Sequence, residues 1–193
     1  MLHCGFGSAA LQDGAAIAAA CVAGGEAAGC RVLLAGGLGG GLPRPDSAAC
    51  DGVEGDAIDA CCAEVFYMHE APHDWLLPRC AVVLHHGGSG TCHAALHAGT
   101  PQVLCPLQYD QPYWAQRMNN LGVAPPPLEI DDFTPDAVAA AVRRALSEQI
   151  CSRAAVMANE LAGETDGAVV AADFISAYVP AAQDKMGRRQ HEA

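Results

Sequence analysis

Short apolar runs alternating with helix-length stretches predict an α/β fold: a parallel, Rossmann-like sheet with helices on both faces. Three observations carry that expectation. Strand-length apolar runs recur at residues 1–5, 31–35, 65–68, 81–84 and 103–106. Stretches of helical composition, many of them rich in Ala, separate and follow these runs. The strands open into turns rich in glycine or histidine, at residues 5–8, 36–41, 69–73 and 86–91. Ligands of such sheets bind at the carboxyl ends of the strands, where these turns fall.

In chain order, residues 1–5 read as a first strand opening into Gly5-Phe6-Gly7-Ser8. A helix is expected from residue 13 to 28, closed by Gly29, and a second strand over 31–35 ends in the glycines of 36–41. Residues 42–62, with Pro43, Pro45, Gly52 and Gly55, have the composition of a loop insertion. A third strand at 65–68 and a short helix at 72–77 precede the fourth strand at 81–84. The chain then turns over 85–90, and a helix over 91–98 is ended by Gly99 and Pro101. The fifth strand, 103–106, leads through a polar loop to a helix that stops at Gly122, and Pro125-Pro126-Pro127 breaks the chain. Thr134-Pro135-Asp136 is a helix start, with Thr as the cap and Pro in the first position. Helices near 135–147, 150–162 and 166–178 complete one domain of residues 1–180, and the polar stretch 181–193 is expected to be a disordered tail.

Composition narrows the function. A chain of 193 residues, half of them hydrophobic and 17% charged, has the size and core of one α/β domain. A net charge of −12 argues against nucleic acid as a partner, since phosphate backbones reward clustered Lys and Arg. It does not argue against a nucleotide, because backbone amides and a helix end supply local positive potential. No apolar run approaches the roughly 20 residues of a membrane span, and the opening MLHCGFGS is no signal peptide. A cytoplasmic setting is expected, peripheral at a membrane only through some further domain. The ten cysteines are scattered with no CxxC pair, which reads as buried free thiols.

The stretch His85-His86-Gly87-Gly88-Ser89-Gly90-Thr91 is suited to an anion. Gly87, Gly88 and Gly90 place no side chain between the turn and a ligand, so N–H groups at the helix start can point at a phosphate. Thr91 adds a hydroxyl, and His86, at the head of the turn, adds a hydrogen-bond donor; the plainer alternative is a histidine packed at a strand end. Asp110 and Gln111 follow the fifth strand, and a carboxylate beside an amide suits a sugar's hydroxyls. Two other motifs fall short of their chemistry. Gly5-x-Gly7-x-x-Ala10 matches the dinucleotide fingerprint, but the acidic residue expected after the second strand is missing. His93 and His97 have metal-helix spacing, but Ala94 stands where HExxH carries its Glu and no third ligand is evident.

The run over residues 72–123, with HHGGSGT and DQP at their mutual spacing, resembles the nucleotide-sugar half of GT-B glycosyltransferases, the sterol 3-beta-glucosyltransferase type above all. The likeness extends from GFGS at residues 5–8 to about residue 146. It implies a UDP-sugar whose diphosphate lies on Gly7, Ser8, His86, Gly88, Ser89, Gly90 and Thr91. The sugar would lie on Asp110 and Gln111, and the uridine on Ala71 and His73. It implies transfer of a hexose, glucose, with inversion, to a hydroxyl of a lipid-like acceptor such as a sterol, without cofactor or metal. No DxD pair occurs in the chain, which agrees with a metal-free route. Where the plant secondary-product branch has a base-stacking Trp and a ribose-binding Glu, this chain has Glu70 and Ala94, as the sterol-type branch also lacks them.

The resemblance places the catalytic base in an N-terminal acceptor-binding half, so none is assigned in this chain. A truncated transferase is the favoured expectation, Met1 standing directly before the first strand. A subunit of a split transferase, a non-catalytic nucleotide-sugar-binding module and a UDP-sugar epimerase remain as alternatives.

Overall fold

The computed structural model describes residues 1–9, 11–36, 42–43 and 65–190, with side chains described to residue 178. Most of the expected insertion at 42–62 therefore lies outside the described residues, as do Cys50, Cys61 and Cys62. The other cysteines are free thiols, buried in five cases and half-buried at Cys80 and Cys151. Among the described residues no helix is long and apolar enough to cross a membrane.

Five strands form one parallel sheet: β1 (Leu2–Gly5), β2 (Val32–Ala35), β3 (Val65–Met68), β4 (Val82–His85) and β5 (Gln102–Leu104). Their order across the sheet is β3-β2-β1-β4-β5. The order reverses between β1 and β4, the place where such sheets open a crevice for ligands. Register brings the strand ends level: Met68 pairs with Ala35, Ala35 with Gly5, Gly5 with His85 and His85 with Leu104. Paired residues 19 to 80 positions apart in sequence thus share one row at the carboxyl edge.

Alternation along each strand sorts side chains onto the two faces. On one face Leu2, Cys4, Val32, Leu34, Val82, Leu84 and Val103 pack against α1 (Gly14–Ala27) and α5 (Pro135–Ala145). On the other, Val83 packs with Leu77 and Ala95, and Leu104 with Cys92 and Leu96 of α3 (Ser89–Ala98), with Met118 of α4 (Gln111–Asn120) and with Ala154 of α6 (Glu148–Ala162). A short helix α2 (His73–Leu76) continues into a 3-10 turn, Leu77–Arg79. Each fully buried Leu or Val contributes about 1.5–3 kcal/mol relative to exposure, which holds both layers to the sheet.

The helix starts follow local chemistry. Asp13 caps α1 by accepting from the Ala16 amide at 2.9 Å, and Thr134 caps α5 by accepting from the Ala137 amide at 3.2 Å. On α5, Val138, Ala141, Val142 and Ala145 recur at helical spacing and face inward. Arg143, in its last turn, donates to the Ala27 carbonyl at the end of α1. The two helices approach closely because Gly24 lacks a side chain: a Cβ there would lie 2.6 Å from the Val138 Cβ and 2.8 Å from the Pro135 carbonyl oxygen. Gly24→Ala is expected to lower stability by about 1–3 kcal/mol through overpacking, more than the gain in helix propensity returns. A thermal melt of the variant checks this, and an unchanged or raised melting temperature would show that the contact yields.

Two expectations need correction. Helix α3 begins at Ser89, not at residue 91, so Ser89 and Gly90 belong to its first turn. The chain divides into two compact units, Met1–Leu161 and Ala162–Ala193, before the expected boundary at 180. The second unit is one helix, α7 (Gly167–Gln190), so residues 181–190 are helical where a disordered tail is predicted. Pro180 costs this helix a donor, but Ala181, Ala182, Gln183, Lys185 and Met186 are strong helix formers. By itself α7 exposes Val169, Val170, Phe174, Ile175 and Tyr178.

Candidate functional site

The site is built where β4 leaves the sheet. After His85 and His86 the chain turns through Gly87, whose φ of +87° lies in the left-handed region that favours glycine. Gly88 is extended and caps α3 without a side chain, and among the described residues no side chain hydrogen-bonds to the helix end. The first helical bond runs from the Cys92 amide to the Gly88 carbonyl at 3.0 Å. The N–H groups of Ser89, Gly90 and Thr91 therefore have no carbonyl within the helix to bond, and the dipole adds its positive end there. A Cβ on Gly90 would meet nothing within 4 Å, which leaves room for a ligand.

The turn is held from beneath by two polar side chains sealed in the sheet. His85 is fully buried, and its Nδ1 accepts the Gly87 amide N–H at 3.1 Å. Its Nε2 lies 3.0 Å from the Gln102 Oε1. Since Nδ1 accepts and Oε1 can only accept, the proton sits on Nε2. The Gln102 amide nitrogen turns in the other direction, 3.4 Å from the Cys92 carbonyl of α3. Burial lowers the His85 pKa to about 3, against the raising effect of the Gln102 bond, and keeps the ring neutral. The sequence places His85 at the head of the turn but does not mark it or Gln102 as its support. The signal available was Gln102 itself, a polar residue opening an apolar strand, which requires a partner once buried.

His86 links the turn to the glycine loop after β1. A Cβ on Gly7 would lie 3.1 Å from the His86 Cε1, and one on Gly88 would lie 2.6 Å from its Nε2. The ring thus fits between two residues that have no side chains, and Gly7 has a φ of +58°. Burial lowers the His86 pKa, and its Nδ1 is buried without a hydrogen-bond partner among the described residues.

A cleft of about 370 Å³ opens over this row of strand ends. Five of the expected residues line it together: Gly7, Ser8 and Thr91 from the phosphate set, Ala71 and His73 from the uridine set. His86, Gly88, Ser89 and Gly90 stand beside it in the turn and are not part of its lining, nor are Asp110 and Gln111. The Asp110 Oδ2 accepts from the Trp114 indole N–H at 2.9 Å, while the Gln111 Oε1 accepts the Leu107 and Gln108 amides at 2.8 and 3.0 Å. Gln111 is buried and its backbone packs against Gly87, so its carbonyl oxygen shapes the loop. Beside them Tyr109 is exposed with a φ of +56°, a strained backbone for a bulky residue. His93 packs edge-on against Trp114 with centroids 5.1 Å apart. Among the described residues no group of three His, Cys, Asp or Glu is placed to hold a metal ion.

Residues 48–176 match the family model described as erythromycin biosynthesis protein CIII-like, C-terminal domain. The chain belongs to this family. It is 35% identical over 122 residues to a sterol 3-beta-glucosyltransferase of Arabidopsis thaliana, covering 63% of this chain and 19% of that protein. The CIII-like fold recurs in the solved glycotransferase of kitacinnamycin, with a TM-score of 0.68 and 24% identity over 90% of this chain and 42% of that one. It recurs also in glycosyltransferase VinC, solved in complex with dTDP, with a TM-score of 0.59 and 23% identity over 84% of this chain and 37% of that one. The chain thus spans about a fifth of that plant relative and about two fifths of the solved chains. The CIII-like sheet is the GT-B glycosyltransferase architecture that the sequence predicts, parallel and covered on both faces.

Proposed function

We propose that this domain holds the donor of a glycosyltransferase, a UDP-hexose with glucose as the sugar, and that transfer to a lipid-like hydroxyl such as a sterol's takes place with an acceptor-binding partner domain. The observation that carries the reading is the first turn of α3, which starts without a side-chain cap beside His86 and whose Thr91 lines a cleft with Gly7 and Ser8. As the bond between sugar and diphosphate breaks, negative charge grows on the phosphate oxygens. The N–H groups of Ser89, Gly90 and Thr91, the Thr91 hydroxyl and a His86 ring N–H oppose that charge without reorganising. The acceptor hydroxyl attacks the anomeric carbon on the side opposite the diphosphate, which gives inversion. The base that takes its proton is ascribed to the partner domain. Asp110 and the free amide group of Gln111 serve the sugar hydroxyls in this scheme. No metal is required, because the amide dipoles do what a cation would do.

A second donor, a dTDP-hexose, is favoured by the likeness to VinC, whose structure contains dTDP. Calorimetric titration of the wild-type chain and of Gly88→Val with UDP and dTDP tests both readings. The valine would collide with His86 and cover the helix end, so affinity should drop at least about 30-fold, the loss of one or two charge-assisted hydrogen bonds. A folded wild-type chain that binds neither nucleotide, or a Gly88→Val chain that binds as well, would overturn the donor-site reading. Conversion of a UDP-sugar to its epimer without any acceptor would replace transfer with epimerisation.

A further inference from the structure

The cleft contains one polar side chain that phosphate and sugar binding leave without a role. His3 lies on β1, two residues before Gly5, on the sheet face of Val83 and His85. It is only 3% exposed, yet it lines the cleft together with Ala71 and His73. The His73 ring stands edge-on to it with centroids 6.4 Å apart. A Cβ on Gly5 would lie 3.4 Å from the Cε1 and Nε2 of His3. The Nε2 edge therefore points along the strand toward the cleft, and the glycine leaves that edge uncovered.

The other ring nitrogen, Nδ1, is buried with no hydrogen-bond partner among the described residues. A buried polar group that the fold leaves unsatisfied is costly and rare. A bare acceptor is tolerated better inside a protein than a bare N–H. The proton therefore belongs on Nε2, where it is presented to the cleft. Burial, with the neighbouring His73 adding to it, lowers the pKa to about 4 and keeps the ring uncharged, against a weak raising contact with the Leu33 backbone that falls short of a hydrogen bond at Nδ1. A neutral N–H donor beside Ala71 and His73 is suited to a neutral acceptor, such as a ring carbonyl, more than to a phosphate.

We propose that His3 is a nucleoside-binding residue of the donor site, donating its Nε2–H to a carbonyl oxygen of the pyrimidine base. The inference rests on the donor-site reading above. It extends the site from the loop of Ala71 and His73 down into the sheet, to a strand residue that no motif marks.

His3→Leu and His3→Gln separate a binding role from a packing role. If the imidazole serves the ligand, leucine should cost UDP affinity about tenfold or more, the loss of one buried hydrogen bond. It should leave competition by inorganic pyrophosphate unchanged. Glutamine, which can present a donor amide, should recover most of the loss. Without ligand the leucine chain should melt about 2–6 °C higher, because the unsatisfied nitrogen is gone. A residue kept for packing predicts the opposite: a lower melting temperature and equal loss of UDP and pyrophosphate. Either that pattern or unchanged UDP affinity in a folded His3→Leu chain overturns the proposal. Loss of UDP binding by Gly88→Val alongside normal binding by His3→Leu would remove this inference and leave the donor site standing.

Discussion

Gln102→Leu is expected to disable the phosphate turn from a distance, lowering UDP affinity about 10–100-fold and stability by about 2–4 kcal/mol. The residue touches no ligand in the proposed scheme. Its Oε1 takes the Nε2–H of His85, and that bond fixes which nitrogen of His85 is left to accept the Gly87 amide. Leucine fills the space of the glutamine but leaves a fully buried N–H with nothing to bond, the expensive way to lose a hydrogen bond. The ring can then shift its proton to Nδ1, which turns the acceptor facing Gly87 into a second donor. The turn that aims the amides of Ser89, Gly90 and Thr91 loses its anchor. Calorimetry with UDP gives the affinity, and hydrogen exchange at the Gly87 amide reports the anchor itself. A Gln102→Leu chain that binds UDP normally and still protects the Gly87 amide would show that backbone geometry alone holds the turn.

Which parts of this molecule could be read from its sequence follows from how local their causes are. The five strands are legible because each is a four- or five-residue apolar run, and α5 because Thr134 and Pro135 mark its start within two positions. The phosphate turn is legible because Gly87, Gly88 and Gly90 stand together. His85 and Gln102 are different, since their roles depend on register: β4 and β5 must pair so that both residues fall on one face, and nothing within either strand states that. His3 is hidden for the same reason, reaching the cleft only because Gly5 pairs with His85. Spacing marks Gln111 but does not show that the amides of Leu107 and Gln108 take its side-chain carbonyl, which leaves only its amide nitrogen for a ligand. Pro180 misleads as a boundary because the helix-forming residues on its far side outweigh one lost donor.

The same buried imidazoles make stability fall steeply in mild acid. His3 and His85 have folded-state pKa values near 4 and 3, against an ordinary 6.5, with burial the main cause in each. Well above pH 6.5 both rings are neutral whether the chain is folded or not, and they add no pH dependence. Below it the unfolded chain takes up two protons that the folded chain refuses, so folding becomes less favourable as pH drops toward 4. Each group contributes up to about 1.4 kcal/mol per pH unit, so together they remove about 3–5 kcal/mol between pH 7 and 4.5, a large part of a typical domain's stability. Carboxylates protonate over part of the same range, and a difference between variants separates the two effects. Urea melts of the wild-type chain and of His3→Leu across this window should show the variant losing about half as much stability per unit as the histidines alone predict. Parallel curves would mean that His3 takes its proton while folded, which would require an opening from the cleft to the sealed nitrogen. The pH dependence thus tests, without any nucleotide present, whether the floor of the site is closed in the way the hydrogen-bond inventory of His3 indicates.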